Sequence, residues 1–254
     1  MFKTIIVRKP AKSIINGITS NPQLGKPVYE KAVKQHEAYV QALEKCDVTV
    51  EKLEADERYP DSCFVEDVAV CTPVFALITN PGTSSRKGEQ KEITDVLKKY
   101  YDDFVYITEP GTLEGGDVMR ARDHYYIGLS ERTNREGATQ FIAALEKRGM
   151  SGSVVEMNEM LHLKTGIAYL GENILLVTGE MIHKKRFVRF EQIVVEPDEA
   201  YAANSIRVND VVLVPEGFEK TKREIEDRGL STITVDTSEF MKIDGGLSCL
   251  SLRF

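Results

Sequence analysis

The chain ends in IDGGLSCLSLRF, which sets Cys249 behind two glycines and a serine and ahead of a short alternating apolar run. It is one of four cysteines, with Cys46, Cys63 and Cys71, and no two have CxxC spacing. That pattern carries no zinc signature and suits a reducing compartment, the cytoplasm. The other three read as small buried hydrophobes. A reactive thiol needs a proton carrier, most often an imidazole. Of the four histidines, His36 falls on an apolar helix face, His124 at an exposed hairpin tip and His183 in a basic run. His162, in LHLKTGIAYL, stands at the start of a strand, as Cys249 does. The starts of comparable strands hold acids: Asp61, Glu66 and Asp67 in PDSCFVEDVAV, Glu114 and Asp117 in LEGGDVM, with Asp244 ahead of the final glycines. Carboxylates around a thiol suit a cationic electrophile, whereas peptide-bond cleavage wants an oxyanion hole of donors. The planar fork of a guanidinium matches a carboxylate bidentately. Thiolate attack at its central carbon and loss of an amine would leave an S-alkylthiouronium. Water would then release a urea and the free thiol. Glu114 is the candidate to orient His162.

These residues must be positioned by elements far apart in the chain, and the order of those elements supplies a scheme. VAVCTPVFALIT, DVMRARDHYYIG, GIAYLGENILLVTG and SIRVNDVVLVP each read as strand, turn, strand, with turns at Pro73, Asp123, Glu172 and Asp210. The turns recur roughly 40–50 residues apart, the spacing of a repeat architecture. Amphipathic helices follow the first, second and fourth hairpins, in GEQKEITDVLKKYY (with Ile93, Val96, Leu97 and Tyr100 on one face), EGATQFIAALEKRG and EKTKREIEDRG. Each leads to a further strand. The third unit is the least regular, because KKRFVRFEQIVVEP has weak helical patterning. SCLSLRF and FKTIIVRK are the two arms of a fifth hairpin closed by the termini, whose helix is PVYEKAVKQHEAYVQALEK and whose strand is DVTVEKL. The expected fold is therefore α/β: a five-bladed ββαβ propeller, closed by the N- and C-terminal strands, in one domain over residues 1–254. Closure removes exposed sheet edges. Equivalent strand starts would then face one another, bringing Glu66, Asp67, Glu114, His162, Asn204 and Cys249 to one end. Gly115, Gly116, Gly245 and Gly246 would let backbone or ligand approach there.

Bulk properties narrow the function further. With 254 residues, 42% hydrophobic and 29% charged, the composition is that of an ordinary globular chain. A net charge of −7 argues against a nucleic-acid partner. No apolar stretch approaches the ~20 residues of a membrane helix, and MFKTIIVRKP is too short and charged for a signal peptide.

The segments PDSCFVEDVAV, GTLEGGDVM, SERTN, LHLKTGIAYL, AANSIRVND and KIDGGLSCLSLRF resemble, in that order and across the whole chain, the dimethylarginine dimethylaminohydrolases of the guanidine-modifying (pentein) superfamily. The resemblance implies an α/β propeller that hydrolyses Nω-methylated arginine to citrulline plus methylamine or dimethylamine, with no metal and no organic cofactor. It implies Cys249 as nucleophile, His162 as acid and then base, and Glu114 as the carboxylate that holds His162. Asp67 would grip the guanidinium, with Glu66 and Asp61 near the substrate's polar groups. Arg86 and Arg132 would take the amino-acid carboxylate. Ile243 would lend its carbonyl, and Ile18, where the family often has leucine, would sit on a lid formed by SIINGITSNPQLGKP. A homodimer is the candidate assembly. Two other functions compete: deimination of unmethylated arginine or another guanidino compound, and a non-catalytic propeller that binds a partner.

Overall fold

A computed structural model describes all 254 residues. It contains five three-stranded sheets, each built as the hairpin repeat requires. In each, the second hairpin arm is the middle strand, antiparallel to the first arm and parallel to the strand that returns after the crossover. A middle strand is buried on both faces, which is why these arms read as near-continuous apolar runs. Ile174–Val177 is wholly buried, as is Val212 to Pro215 of Val211–Pro215. The turns use left-handed residues at Arg122, at Glu172 and Asn173, and at Asn209, with φ of 57°, 50°, 71° and 53°.

The chain divides into two compact units. The first comprises Met1–Val65 and Asn204–Phe254. It holds the sheet of Leu252–Arg253, Thr4–Arg8 and Thr49–Leu53, in which the two terminal segments pair as expected, Ile5 opposite Arg253 and Ile6 opposite Leu252. Its other sheet is Ile206–Val208, Val211–Pro215 and Ser231–Val235. The helix Tyr29–Glu44 packs Tyr39, Val40 and Leu43 into this unit's core. The Tyr39 hydroxyl also bonds the Leu247 carbonyl at 3.0 Å and Ser251 Oγ at 2.7 Å. That buried contact fixes the segment that carries Cys249.

The second unit is Glu66–Ala203. Its sheets are Ala69–Cys71, Ala76–Ile78 and Phe104–Tyr106; Val118–Ala121, His124–Leu129 and Ser151–Glu156; and Ile167–Gly171, Ile174–Val177 and Glu191–Val194. Helices Gln90–Leu97 and Arg135–Glu146 make the first two crossovers. The third is made by the 3-10 turns Gly179–His183 and Lys185–Phe187, in keeping with the weak periodicity there. Two local expectations fail. Helix Gln90–Leu97 stops a turn early, leaving Tyr100 outside it and exposed. His124 is not a solvated tip residue: its ring nitrogens bond Ser151 Oγ and Ser153 Oγ, both at 2.8 Å, on the neighbouring strand.

Candidate active site

Each chemistry-bearing strand start lies in or beside a tight turn that leads into a first hairpin arm. Glu66 and Asp67 lie in the 3-10 turn Val65–Val68, Glu114 caps Gly115–Asp117, His162 caps Leu163–Thr165, and Asn204 ends Pro197–Asn204.

In the second unit the structure brings His162, Glu114 and Asp67 together, with one donor atom of each within 4.8 Å of the others. His162 Nε2 lies 3.0 Å from Glu114 Oε2. The other Glu114 oxygen accepts the Thr83 amide at 3.3 Å. Asp67 accepts the Gly116 amide at 2.9 Å through Oδ1 and Arg86 Nη1 at 2.6 Å through Oδ2. Gly116 is indispensable to this arrangement, because a Cβ there would lie 2.9 Å from both the His162 ring and Asp67 Oδ1. The close approach that the sequence reserved for backbone or ligand is here an approach of the site's own side chains. Asp67 and Glu114 are both already hydrogen-bonded to neighbouring donors.

Burial opposes charge on His162, but Asp117, the Glu114 hydrogen bond and Asp67 outweigh it and push its pKa up to about 9. Burial also works against Glu114, yet His162 and the nearby Arg86 and Arg132 hold its carboxyl below the usual range. The resting pair is thus imidazolium and carboxylate at neutral pH. Asp117 is fully buried, and that burial raises its pKa.

This charge state has a consequence for stability. The folded His162 pKa stands above the 6.5 of a free imidazole. Its contribution is fully present below pH 6.5 and is lost as pH rises through about 9. At ~1.4 kcal/mol per unit the loss amounts to about 3 kcal/mol. Urea unfolding at constant ionic strength should show wild type weakening across that window and His162→Asn weakening far less. Parallel curves would mean that His162 is uncharged in the folded protein.

Arg86 is buried between two carboxylates. Besides Asp67 it binds Glu89 in a fork, Nε to Oε1 at 3.1 Å and Nη2 to Oε2 at 2.8 Å. Burial disfavours its charge, but Glu89 and Asp67 more than offset this. Arg132 is half-buried in the turn after His124–Leu129, its amide bonded to Ser130 Oγ at 3.0 Å. Glu66 is buried and paired with Lys164. Neither Lys164 nor Glu89 stood out in the sequence, where a lone charge beside a motif looks like solvated surface.

The first unit holds the remaining residues. Cys249 is half-buried in a tight turn, its amide bonded to the Gly246 carbonyl at 3.2 Å and its Sγ accepting the Gly246 amide at 3.4 Å. Asn204 grips the same turn, accepting the Ser248 amide at 2.9 Å and donating to Ser248 Oγ at 3.1 Å. A Cβ on Gly246 would lie 2.4 Å from Asn204 Oδ1, so the glycine is needed to seat the turn. Asp61 is buried and accepts the Ile18 amide at 3.0 Å. Ile243 is buried, with its Cδ1 3.0 Å from a Cβ built on Gly17. Asp244 accepts hydrogen bonds from Ser20 and from Asn21 Nδ2. The segment expected to form a lid is therefore held at Ile18 by Asp61 and at Ser20–Asn21 by Asp244.

A family model described as N,N dimethylarginine dimethylhydrolase, eukaryotic, matches residues 11–249. The N(G),N(G)-dimethylarginine dimethylaminohydrolase of Pseudomonas aeruginosa is 52% identical, with both chains covered in full. That of Streptomyces coelicolor is 31% identical over 99% of this chain and 96% of its own. A solved structure of the P. aeruginosa protein, a C249S mutant complexed with citrulline, superposes with a TM-score of 0.99 over the full length of both chains at 52% identity. The likeness extends through all five ββαβ units, so the α/β fold is that of the solved relative. Match by family model, by identity and by fold agree over the whole length, and the chain belongs to the dimethylarginine dimethylaminohydrolase family.

Proposed function

We propose that this chain hydrolyses Nω-methylated arginine, both monomethylated and asymmetrically dimethylated, to citrulline plus methylamine or dimethylamine. The observation that carries the reading is the buried His162–Glu114 pair, charged at neutral pH and set among carboxylates, in a chain of this family. Cys249 thiolate adds to the central guanidinium carbon, forming a C–S bond. His162 gives its proton to the methylated nitrogen, and the C–N bond breaks to release the amine and leave an S-alkylthiouronium. The neutral imidazole then takes a proton from water. The oxygen adds to the same carbon, the C–S bond breaks with its electron pair going to sulfur, the remaining O–H proton passes to solvent, and citrulline departs with the thiolate restored. Glu114 keeps the imidazole oriented through both transfers. Asp67, itself oriented by Arg86 and Gly116, grips the guanidinium, with Glu66 close by. Asp61 and the Ile243 carbonyl serve the substrate's polar groups under a lid that carries Ile18. No metal or organic cofactor enters these steps.

Residues 1–254 act as a single domain, an α/β propeller. The first unit takes its chain from both ends of the sequence, with the second inserted between Val65 and Asn204, which supports this. A cytoplasmic setting, which keeps Cys249 as a thiol, and a homodimer complete the reading. Light scattering on the purified protein tests the latter. The test of function is citrulline release from arginine, monomethylarginine and dimethylarginine. Release from arginine in preference to both methylated forms would point to a deiminase, and no release from any would leave a binding protein.

Arg86 and Arg132 take the substrate's carboxylate, so the site reads both ends of the amino acid. Removing one partner of a buried charged pair costs ~2–5 kcal/mol, or roughly 30- to 3,000-fold in efficiency. Arg132→Ala should lose that much kcat/KM on dimethylarginine and little on its decarboxylated analogue, with a near-native Tm. Arg86→Ala should lose activity on both, because it also strands Asp67 and Glu89, a stability cost of about 3–5 kcal/mol. If wild type handles the two substrates within a few-fold, the arginines are not a carboxylate clamp.

A further inference from the structure

Asp117 is the one buried carboxylate beside His162 to which the mechanism gives no task. It is wholly inaccessible, and both its oxygens are engaged as acceptors. Oδ1 takes the amide of Leu163, the residue after His162, at 2.9 Å. Oδ2 takes the Ser130 hydroxyl at 2.7 Å. The Ser130 oxygen in turn accepts the amides of Arg132 and Thr133, at 3.0 and 3.2 Å. Gly128 leaves room for the carboxylate, since a Cβ there would lie 3.1 Å from Oδ1. Burial raises the Asp117 pKa, and the His162 charge together with these donors works against that rise and favours the ionised form.

We propose that Asp117 is a positioning residue for the hydrolytic reaction: it pins the turn that carries His162, ties that turn to the one carrying Arg132, and supplies the buried negative charge that favours a proton-donating imidazolium. The inference rests on the proposed role of His162 as acid.

The charges that face His162 come from two segments. Asp67 belongs to the Val65–Val68 turn, and Glu114 and Asp117 to the turn before Val118–Ala121; Arg86 and Arg132 act on Glu114 from the opposite sign. The charge of Asp117 is the largest single contribution that raises the affinity of His162 for its proton, while Glu114 acts both through its hydrogen bond and through its charge. The division of labour follows from position. Glu114 meets Nε2 directly and sets the ring's direction, so it cannot be removed without releasing the ring. Asp117 acts through the Leu163 amide and through its field, so its charge can be removed with the geometry kept.

Asp117→Asn does this, because the amide oxygen still accepts from Leu163 and its NH2 can donate to Ser130 Oγ. The measurement is the titration of His162 in free protein labelled at histidine Cε1, followed by NMR, with the resonance assigned by its absence in His162→Gly. Wild type should titrate near 9. In Asp117→Asn the midpoint should fall by a unit or more, which is about a tenfold weaker hold on the proton. A folded Asp117→Asn that titrates with wild type overturns the proposal. Ser130→Ala supplies the second arm. It keeps the charge but takes away a donor that disperses it, so the His162 midpoint should rise. A fall as large as that of Asp117→Asn would assign both residues a packing role only. If Asp117→Asn does not fold, an unmoved midpoint in Ser130→Ala overturns the proposal by itself. The titration needs no substrate, so its outcome is separate from that of the citrulline assay on which the hydrolase reading stands.

Discussion

Cys249→Ser is expected to abolish turnover, with a loss on the order of 10⁴-fold or more, while the chain stays folded. The sulfur accepts the Gly246 amide, and a serine oxygen can accept that bond in its place. The chemistry depends on the sulfur. A thiol yields some thiolate near neutral pH, but an alcohol needs a base to take its proton. The imidazole that would serve is already protonated, with a pKa of about 9, and is held by Glu114. In the proposed mechanism the serine variant would therefore meet an acid where a serine hydrolase has a base. Circular dichroism and Tm should match wild type, and citrulline should still bind. Activity within tenfold of wild type would remove the covalent mechanism.

His162→Gly should cost ~10²–10⁴-fold on methylated arginine, the usual worth of general acid–base help. The sign of the second effect is more telling than the size of the first. A substrate whose leaving group departs without a proton, such as a thiolate from an S-alkylthiocitrulline, should lose much less in its first step. Deacylation would still lack its base, so a covalent adduct on Cys249 should accumulate. Intact-mass spectrometry after mixing would show it. A solved structure at 52% identity is a dimethylarginine dimethylaminohydrolase H162G adduct with S-methyl-L-thiocitrulline. Equal losses for good and poor leaving groups, with no adduct, would reduce His162 to a structural residue. The deletion also removes the positive member of a group that includes Asp67, Glu114 and Asp117.

Much of this protein was legible before folding, because the signals involved are local. The hairpin arms announce themselves by apolar runs, and their turns by Asn, Asp and Glu at positions that adopt left-handed φ, as at Glu172, Asn173 and Asn209. Only near neighbours are needed to make such a turn, so the sequence shows it directly. The same holds for the irregular third crossover, where KKRFVRF lacks a helical stripe and forms 3-10 turns. The repeat then places Cys249, His162, Glu114 and Asp67 at equivalent strand starts.

What the pattern could not contain is how charges pair once the starts that carry His162, Glu114 and Asp67 are brought together. Arg86 held by Asp67 and Glu89, Glu66 by Lys164, and Leu163 and Ser130 by Asp117 join residues up to 98 positions apart, and no periodicity marks them. His124 shows the same limit in miniature: its hairpin is local, but the serines that bond it arrive on a strand after the helix. By itself the sequence determined the units, their order, and which side chains have the chemistry. Only the tertiary structure decided their charge states, because the pKa of a buried group depends on the field of residues that meet it through the fold and not along the chain.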